Sequence, residues 1–244
     1  MKKILLISGH RPGINACTRL NVNEGDLNVQ LTRLVAARLS GYAEVVVYPY
    51  LRDYYRDNLN GRIASNYNMS NFDYVFEIHF NAYDGTTVGT NVQLHLKYTG
   101  GVTVEQAIAD NLAARIGFRK RGVNGINRRD DLLNMNTAFR KGVDYALLET
   151  CFDDNVSDLI KYRKSPEKVA SAISDGIIAK FGLKKTVKIV NCKSLNYRKS
   201  PNGTILGHYN SGDQIVVYET QPDADGDLWY RTDQGYIWPA YTEG

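Results

Sequence analysis

"DYVFEIHFNAYDG", residues 73–85, alternates Tyr74, Phe76, Ile78 and Phe80 with Val75, Glu77 and His79. A period of two over eight residues predicts a strand. Both of its faces are largely apolar, which suits a strand buried between two layers. The run then stops at Asn81 and a turn at Asp84-Gly85. Glu77 and His79 are the discordant residues, because an unpaired polar group on a buried face is costly. The chain has only four histidines, His10, His79, His95 and His208, so their placement is informative.

Working outward, residues 1–182 alternate strand and helix patterns. "KKILLIS" is an apolar run closed by Gly9. "EGDLNVQLTRLVAARLSGY" sets Leu27, Leu31, Leu34, Val35 and Leu39 on one helical face, with Asn23 as a cap and Gly41 as a stop. "AEVVVYPY" reads as a strand ended by Pro49, and Leu51 to Asn68 as helical around Ile63. "NVQLHLKY" alternates again. "TVEQAIADNLAARIGF" spaces Val104, Ile108, Leu112 and Ile116 four apart, with Thr103 and Gln106 forming a capping box. "VDYALLETCF" is another apolar run, and Ser165-Pro166 opens a last helix to about Phe181. This order predicts an α/β fold with a mostly parallel sheet flanked by helices.

Composition changes after Gly182. Both tryptophans, Trp229 and Trp238, lie in the last 62 residues, with six tyrosines and no phenylalanine. Short apolar runs separated by "SPNG", "NSG", "DADGD" and "DQG" predict a small all-β module. The expected division is a domain at 1–182, a linker at 183–187 and a β domain at 188–244.

The net charge of +4 is mild, with 23 Lys+Arg against 19 Asp+Glu in residues 1–182 and 7 against 7 in 183–244. No basic stripe marks a nucleic-acid partner, and no stretch has the length of a membrane span. Cys17, Cys151 and Cys192 are too few and too scattered for a disulfide framework or a CxxC metal site. The apolar run Ile4–Ile7 is too short for the core of a signal peptide. The expectation is a protein made in the cytoplasm without an export signal.

Ligands of open α/β sheets gather at the carboxyl ends of the strands. His10 follows the first strand, His79 ends the opening one, Glu149 ends "VDYALLE", and Glu24 begins the first long helix. Two imidazoles and one carboxylate are a donor set of many catalytic zinc sites. A further carboxylate that holds no metal can move a proton. Each residue also has a plainer reading. A histidine at a strand end can serve packing or capping, Glu24 can simply favour a helix N-terminus, and Glu149 can pair with Arg128 or Arg129. His95 and His208 lack any second feature, and Cys151 has no histidine nearby in sequence to activate it.

Together "ISGHRPG", "NEGDLNVQLTRLVAARL", "FEIHFNA", "RGVN" and "LLETCFDDNVSDL" resemble the zinc-dependent N-acetylmuramoyl-L-alanine amidases of autolysins and phage endolysins, over residues 3–181. The resemblance implies one zinc ion held by His10, Glu24 and His79, with Glu149 as the catalytic glutamate. Asn28 and Asn81 fit the same pattern as supporting residues. Two stretches depart from it. Glu77 stands where the family commonly has a small residue, and "CFDDN" replaces a glycine-phenylalanine pattern. Residues 188–244 resemble a bacterial SH3-type cell-wall-binding domain, through "LNYRKSPNGTILGHYNSGDQIVV" and "LWYRTDQGYIWPAYT".

The implied function is a peptidoglycan hydrolase that cuts the amide between N-acetylmuramic acid and L-alanine, by zinc-activated water and a glutamate general base. Its implied partner is the peptidoglycan of a Gram-positive-type wall, with neither nucleic acid nor membrane involved. A phage endolysin released by a holin fits the missing export signal. The alternatives are a zinc peptidase acting on stem peptides and a wall-binding protein without catalysis.

Overall fold

The computed structural model describes residues 1–17 and 20–244. Its first fourteen regular elements are β1 (Lys3–Ser8), β2 (Ala16–Cys17), β3 (Val22–Asn23), α1 (Glu24–Leu39), β4 (Glu44–Val47), α2 (Tyr54–Leu59), β5 (Tyr74–Asn81), β6 (Asn91–His95), α3 (Thr103–Ile116), β7 (Ile126–Arg129), α4 (Leu133–Arg140), β8 (Tyr145–Phe152), α5 (Val156–Lys164) and α6 (Pro166–Phe181). A six-stranded sheet runs β4-β1-β5-β8-β6-β7. β1, β5 and β8 are mutually parallel, and β6 is parallel to β7 but antiparallel to β8. The sheet is thus mostly parallel, as the alternation of strands and helices predicts.

β5 lies at the centre because both of its faces are apolar. On one face Tyr74 packs against Phe181 of α6, with ring centroids 5.5 Å apart. On the other, Val75 joins Leu5, Ile7, Tyr145 and Leu147 in a core closed by Tyr54, Met135 and Ala138 of α2 and α4. Leu5, Ile7, Val75, Leu147 and Met135 are at most 5% exposed, so each contributes roughly 1.5–3 kcal/mol by leaving water.

Two local expectations are corrected. Leu51 to Asn68 is not one helix. Asp53 caps α2 by accepting from the Arg56 N–H at 3.0 Å, the helix ends at Leu59, and Gly61 turns left-handed at φ +64°. Ile63 is then free to pack on the core from a non-helical segment, and short 3-10 turns follow at Ser65–Tyr67 and Met69–Asn71. The capping box at Thr103 does not form either. Val102 takes the cap position without a side-chain bond, which puts Thr103 one residue too far into the helix. Buried Glu105 accepts from the Tyr74 hydroxyl and from Lys180 Nζ, both at 3.0 Å, and this ties the first turn of α3 to β5 and α6.

The chain divides into two compact units. Lys2–Leu39 and Val45–Gly182 form one, and Leu183–Gly244 with Met1 and Ser40–Glu44 forms the other. The second holds β9 (Thr186–Val190), β10 (Ser194–Arg198), β11 (Ile205–Asn210), β12 (Gln214–Val217), β13 (Glu219–Pro222), β14 (Leu228–Arg231), β15 (Tyr236–Ile237) and β16 (Thr242–Glu243). They make a five-stranded and a three-stranded antiparallel sheet around Val190, Leu195, Ile215 and Ile237. No helix among the described residues is long and apolar enough to cross a membrane.

Candidate metal centre and its surroundings

The register of the parallel strands places the site. Ser8 of β1 lies beside Ile78 of β5, and His79 lies beside Glu149 of β8. The ends of these strands therefore share one rim. Gly9 continues the ladder by donating its N–H to the Ile78 carbonyl at 2.9 Å, and His10 follows on the loop. α1 begins at Glu24 and reaches the same rim directly after β3, which pairs antiparallel with β2.

His10, Glu24 and His79 converge, each offering one ligand atom, all within 4.8 Å of one another. Glu24 Oε1 lies 3.1 Å from His79 Nδ1, and Glu24 Oε2 lies 3.4 Å from His10 Nε2. The two imidazoles meet edge to face at 4.9 Å. Glu24 is further held by the Phe80 N–H at 3.1 Å, Asn28 Nδ2 at 3.2 Å and Asn15 Nδ2 at 3.1 Å. Burial alone would raise its pKa. The hydrogen bond and charge of His79, the charge of His10 and the Asn15 amide outweigh burial and hold it at about 2. His79 shows the reciprocal effect: burial pushes it down, but Glu24 and Glu77 carry it well above the usual histidine value.

Glu149 lies next to this cluster. Its Oε1 accepts from Gln93 Nε2 at 3.2 Å, and its Oε2 is buried with no hydrogen-bond partner. Neither arginine forms an ion pair with it. Arg129 reaches Gln93 Oε1 at 3.1 Å and Asp131, while Arg128 donates to the Tyr98 carbonyl at 2.7 Å. Burial raises the Glu149 carboxyl to about 7, with the charge of His79 opposing and that of Glu24 adding.

Other residues singled out from sequence take different places. Asn28 touches Glu24, whereas Asn81 serves the backbone, its carbonyl accepting from the Asp153 N–H at 2.8 Å. His95 stacks on Phe139 at 3.8 Å and accepts from the Lys97 N–H. Burial pushes the Cys151 thiol well above its ordinary value, so it stays protonated.

Asn15, Gln93 and Asp53 were not legible as site residues. Asn15 Nδ2 lies 2.8 Å from His10 Nε2, from a left-handed backbone position at φ +56° that asparagine tolerates. Asp53 Oδ2 is 3.9 Å from His10 Nδ1. The glycines beside the candidate ligands were a readable signal. A Cβ on Gly9 would overlap the His79 ring, and one on Gly25 would overlap the Arg11 carbonyl. Gly9→Ala is therefore expected to displace His79 and to cost about 1–3 kcal/mol of stability, which denaturant unfolding of the variant measures.

Fold and site together define a three-layer α/β domain with a His/Glu/His donor set at the carboxyl rim of its sheet and a carboxylate beside it. Residues 4–179 match the family model of N-acetylmuramoyl-L-alanine amidase, and the chain belongs to that family. The probable autolysin PH of Staphylococcus aureus is 26% identical over 193 residues, which cover 73% of this chain and 39% of that protein. The chain thus spans well under half the length of this curated relative. The crystal structure of N-acetylmuramoyl-L-alanine amidase from Clostridium difficile 630 superposes with a TM-score of 0.61 at 21% identity, covering 74% of this chain and 97% of that one. The catalytic domain of CD27L endolysin gives 0.58 at 23% identity, covering 73% and 98%. At these identities the superpositions speak for the fold.

Proposed function

We propose that this chain is a zinc-dependent peptidoglycan amidase that cuts the bond between the lactyl group of N-acetylmuramic acid and L-alanine, acting as an endolysin or autolysin. The observation that carries the reading is the unpartnered, buried Oε2 of Glu149 beside the His10–Glu24–His79 cluster. The donor set fits zinc, with two imidazole nitrogens, one carboxylate and no lysine or arginine bonded to any of the three among the described residues. Zinc bound there supplies Lewis acidity to the scissile carbonyl and to the attacking water.

The chain's own residues do the rest. Asn28, the Phe80 N–H and Asn15 orient the Glu24 carboxylate. Gln93 fixes Oε1 of Glu149 and leaves Oε2 as the proton acceptor. Glu149 takes a proton from water and returns it to the departing alanine amine, so one carboxyl serves first as base and then as acid. Burial raises this carboxyl, the direction that both tasks need near neutral pH.

The C-terminal unit is read as an SH3-type wall-binding module that keeps the enzyme on its polymer. A groove of about 340 Å³ in this unit supports that role, with Leu195, Arg198, Asp227, Trp229, Trp238 and Tyr241 among its lining residues. Trp229 is mostly core, and its Nε1 donates to Asp223 at 3.1 Å, whereas Trp238 is only half-buried. Trp238→Ala is expected to weaken sedimentation with purified walls about tenfold, the usual scale for a central aromatic anchor. It should leave hydrolysis of a soluble muramyl-peptide unchanged.

Product chemistry tests the reaction. Digestion of purified peptidoglycan should release new N-terminal alanine and no new reducing sugar, and a chelator should abolish the release. Amino termini from farther down the stem would favour a peptidase. Binding without release would leave a wall-binding protein.

A further inference from the structure

Glu77 is the one acidic residue of β5, and it does not belong to the donor set. It is 3% exposed. Its Oε1 lies 3.0 Å from His79 Nε2 and 3.2 Å from Asn134 Nδ2. Its Oε2 accepts from the same Asn134 amide at 3.1 Å and from the Tyr145 hydroxyl at 2.5 Å. Both oxygens are therefore engaged, and no lysine or arginine is among these partners.

The partners are themselves fixed. Asn134 Oδ1 accepts from Asn58 Nδ2 at 2.9 Å, so the Asn134 amide must turn its N–H groups toward Glu77. Asn134 and Tyr145 are each 4% exposed, which leaves their donors no water to turn to. Carboxylate oxygens surrounded by these donors take His79 Nε2 as a further N–H donor. The other nitrogen, Nδ1, faces Glu24 Oε1 at 3.1 Å.

We propose that Glu77 is a positioning residue that keeps the proton of His79 on Nε2, so that Nδ1 is the nitrogen presented to the metal, and that it tightens metal binding by doing so. This rests on the reading of His10, Glu24 and His79 as a metal site. A carboxylate behind a ligating imidazole fixes its tautomer and ring orientation and raises its basicity, and losing such a partner typically costs 10–100-fold in affinity. Here the carboxylate comes from the same strand, two residues before the ligand, and β8 and α4 supply the groups that hold it. Position 77 is one of the two stretches where the sequence departs from the resemblance. The Tyr145–Glu77–Asn134 triad gives that departure a purpose.

The test uses the full chain in three forms: wild type, Glu77→Gln and Tyr145→Phe. Zinc affinity is measured by competition with a chromophoric chelator. The His79 tautomer of the zinc-loaded protein is read from long-range proton–nitrogen correlation spectra. Wild type is expected to show the proton on Nε2. Glu77→Gln is expected to bind zinc 10–100-fold more weakly, and Tyr145→Phe to lose less. Circular dichroism and thermal unfolding establish that each variant folds. If Glu77→Gln does not fold, Tyr145→Phe decides, since it removes one hydroxyl and leaves the carboxylate in place. Unchanged affinity with an unchanged His79 pattern in a folded variant overturns the proposal while the metal site stands. Wild type that binds no zinc at His79 overturns the metal reading and this proposal with it.

Discussion

Glu149→Gln is expected to lower the turnover of peptidoglycan by about 10²–10⁴-fold while zinc content and fold are kept, the range for removal of a general base. The substitution is close to isosteric. A glutamine oxygen can still accept from Gln93 Nε2, which now bonds Glu149 Oε1 at 3.2 Å, so the local packing survives. What is lost is a group able to take a proton from water and give it to an amine. The amide placed at Oε2, an atom with no present hydrogen-bond partner, can do neither. Parallel measurements of turnover and bound zinc distinguish this loss from damage to the metal site. Full activity in a folded, zinc-loaded variant would remove Glu149 from the reaction.

His10→Ala is expected to have the second large effect, of a different kind. On the proposed reading His10 is a direct ligand, and its removal should cost more than the 10–100-fold typical of outer groups, so the purified variant should carry almost no zinc and show almost no turnover. His10 is the cleanest of the three residues to test. It sits on a loop just beyond β1 with 22% of its side chain exposed, and its Nδ1 has no hydrogen-bond partner. Glu24 is a poorer probe because the Phe80 N–H and the Asn28 and Asn15 amides all bond to its carboxylate. Removing it would also strand those donors. Metal analysis of His10→Ala reads the outcome, and stoichiometric zinc in the variant would take His10 out of the site.

What could be read from sequence follows from where the information resides. The alternation of β5, the apolar runs of β1 and β8 and the helical face of α1 are local patterns, and they place His10, Glu24, His79 and Glu149 at element ends. A mostly parallel sheet then brings those ends to one rim, so the cluster is legible in the sequence. The groups around it were not. Asn134 and Tyr145 reach Glu77 across 57 and 68 residues, and Gln93 reaches Glu149 across 56. No local period encodes such contacts. The capping box at Thr103 failed for a related reason. The start of α3 is tied down by buried Glu105, Tyr74 and Lys180 rather than by its own cap. The single helix expected over Leu51 to Asn68 overlooked the left-handed Gly61, whose φ is +64°.

The most direct measurement is a crystal structure of the full chain grown with zinc, with anomalous differences collected on both sides of the zinc edge. The account predicts one ion per chain, bonded to Nε2 of His10, a carboxylate oxygen of Glu24 and Nδ1 of His79, with Glu149 beside it and unbound. An ion held elsewhere, or none at this cluster at saturating zinc, would contradict it.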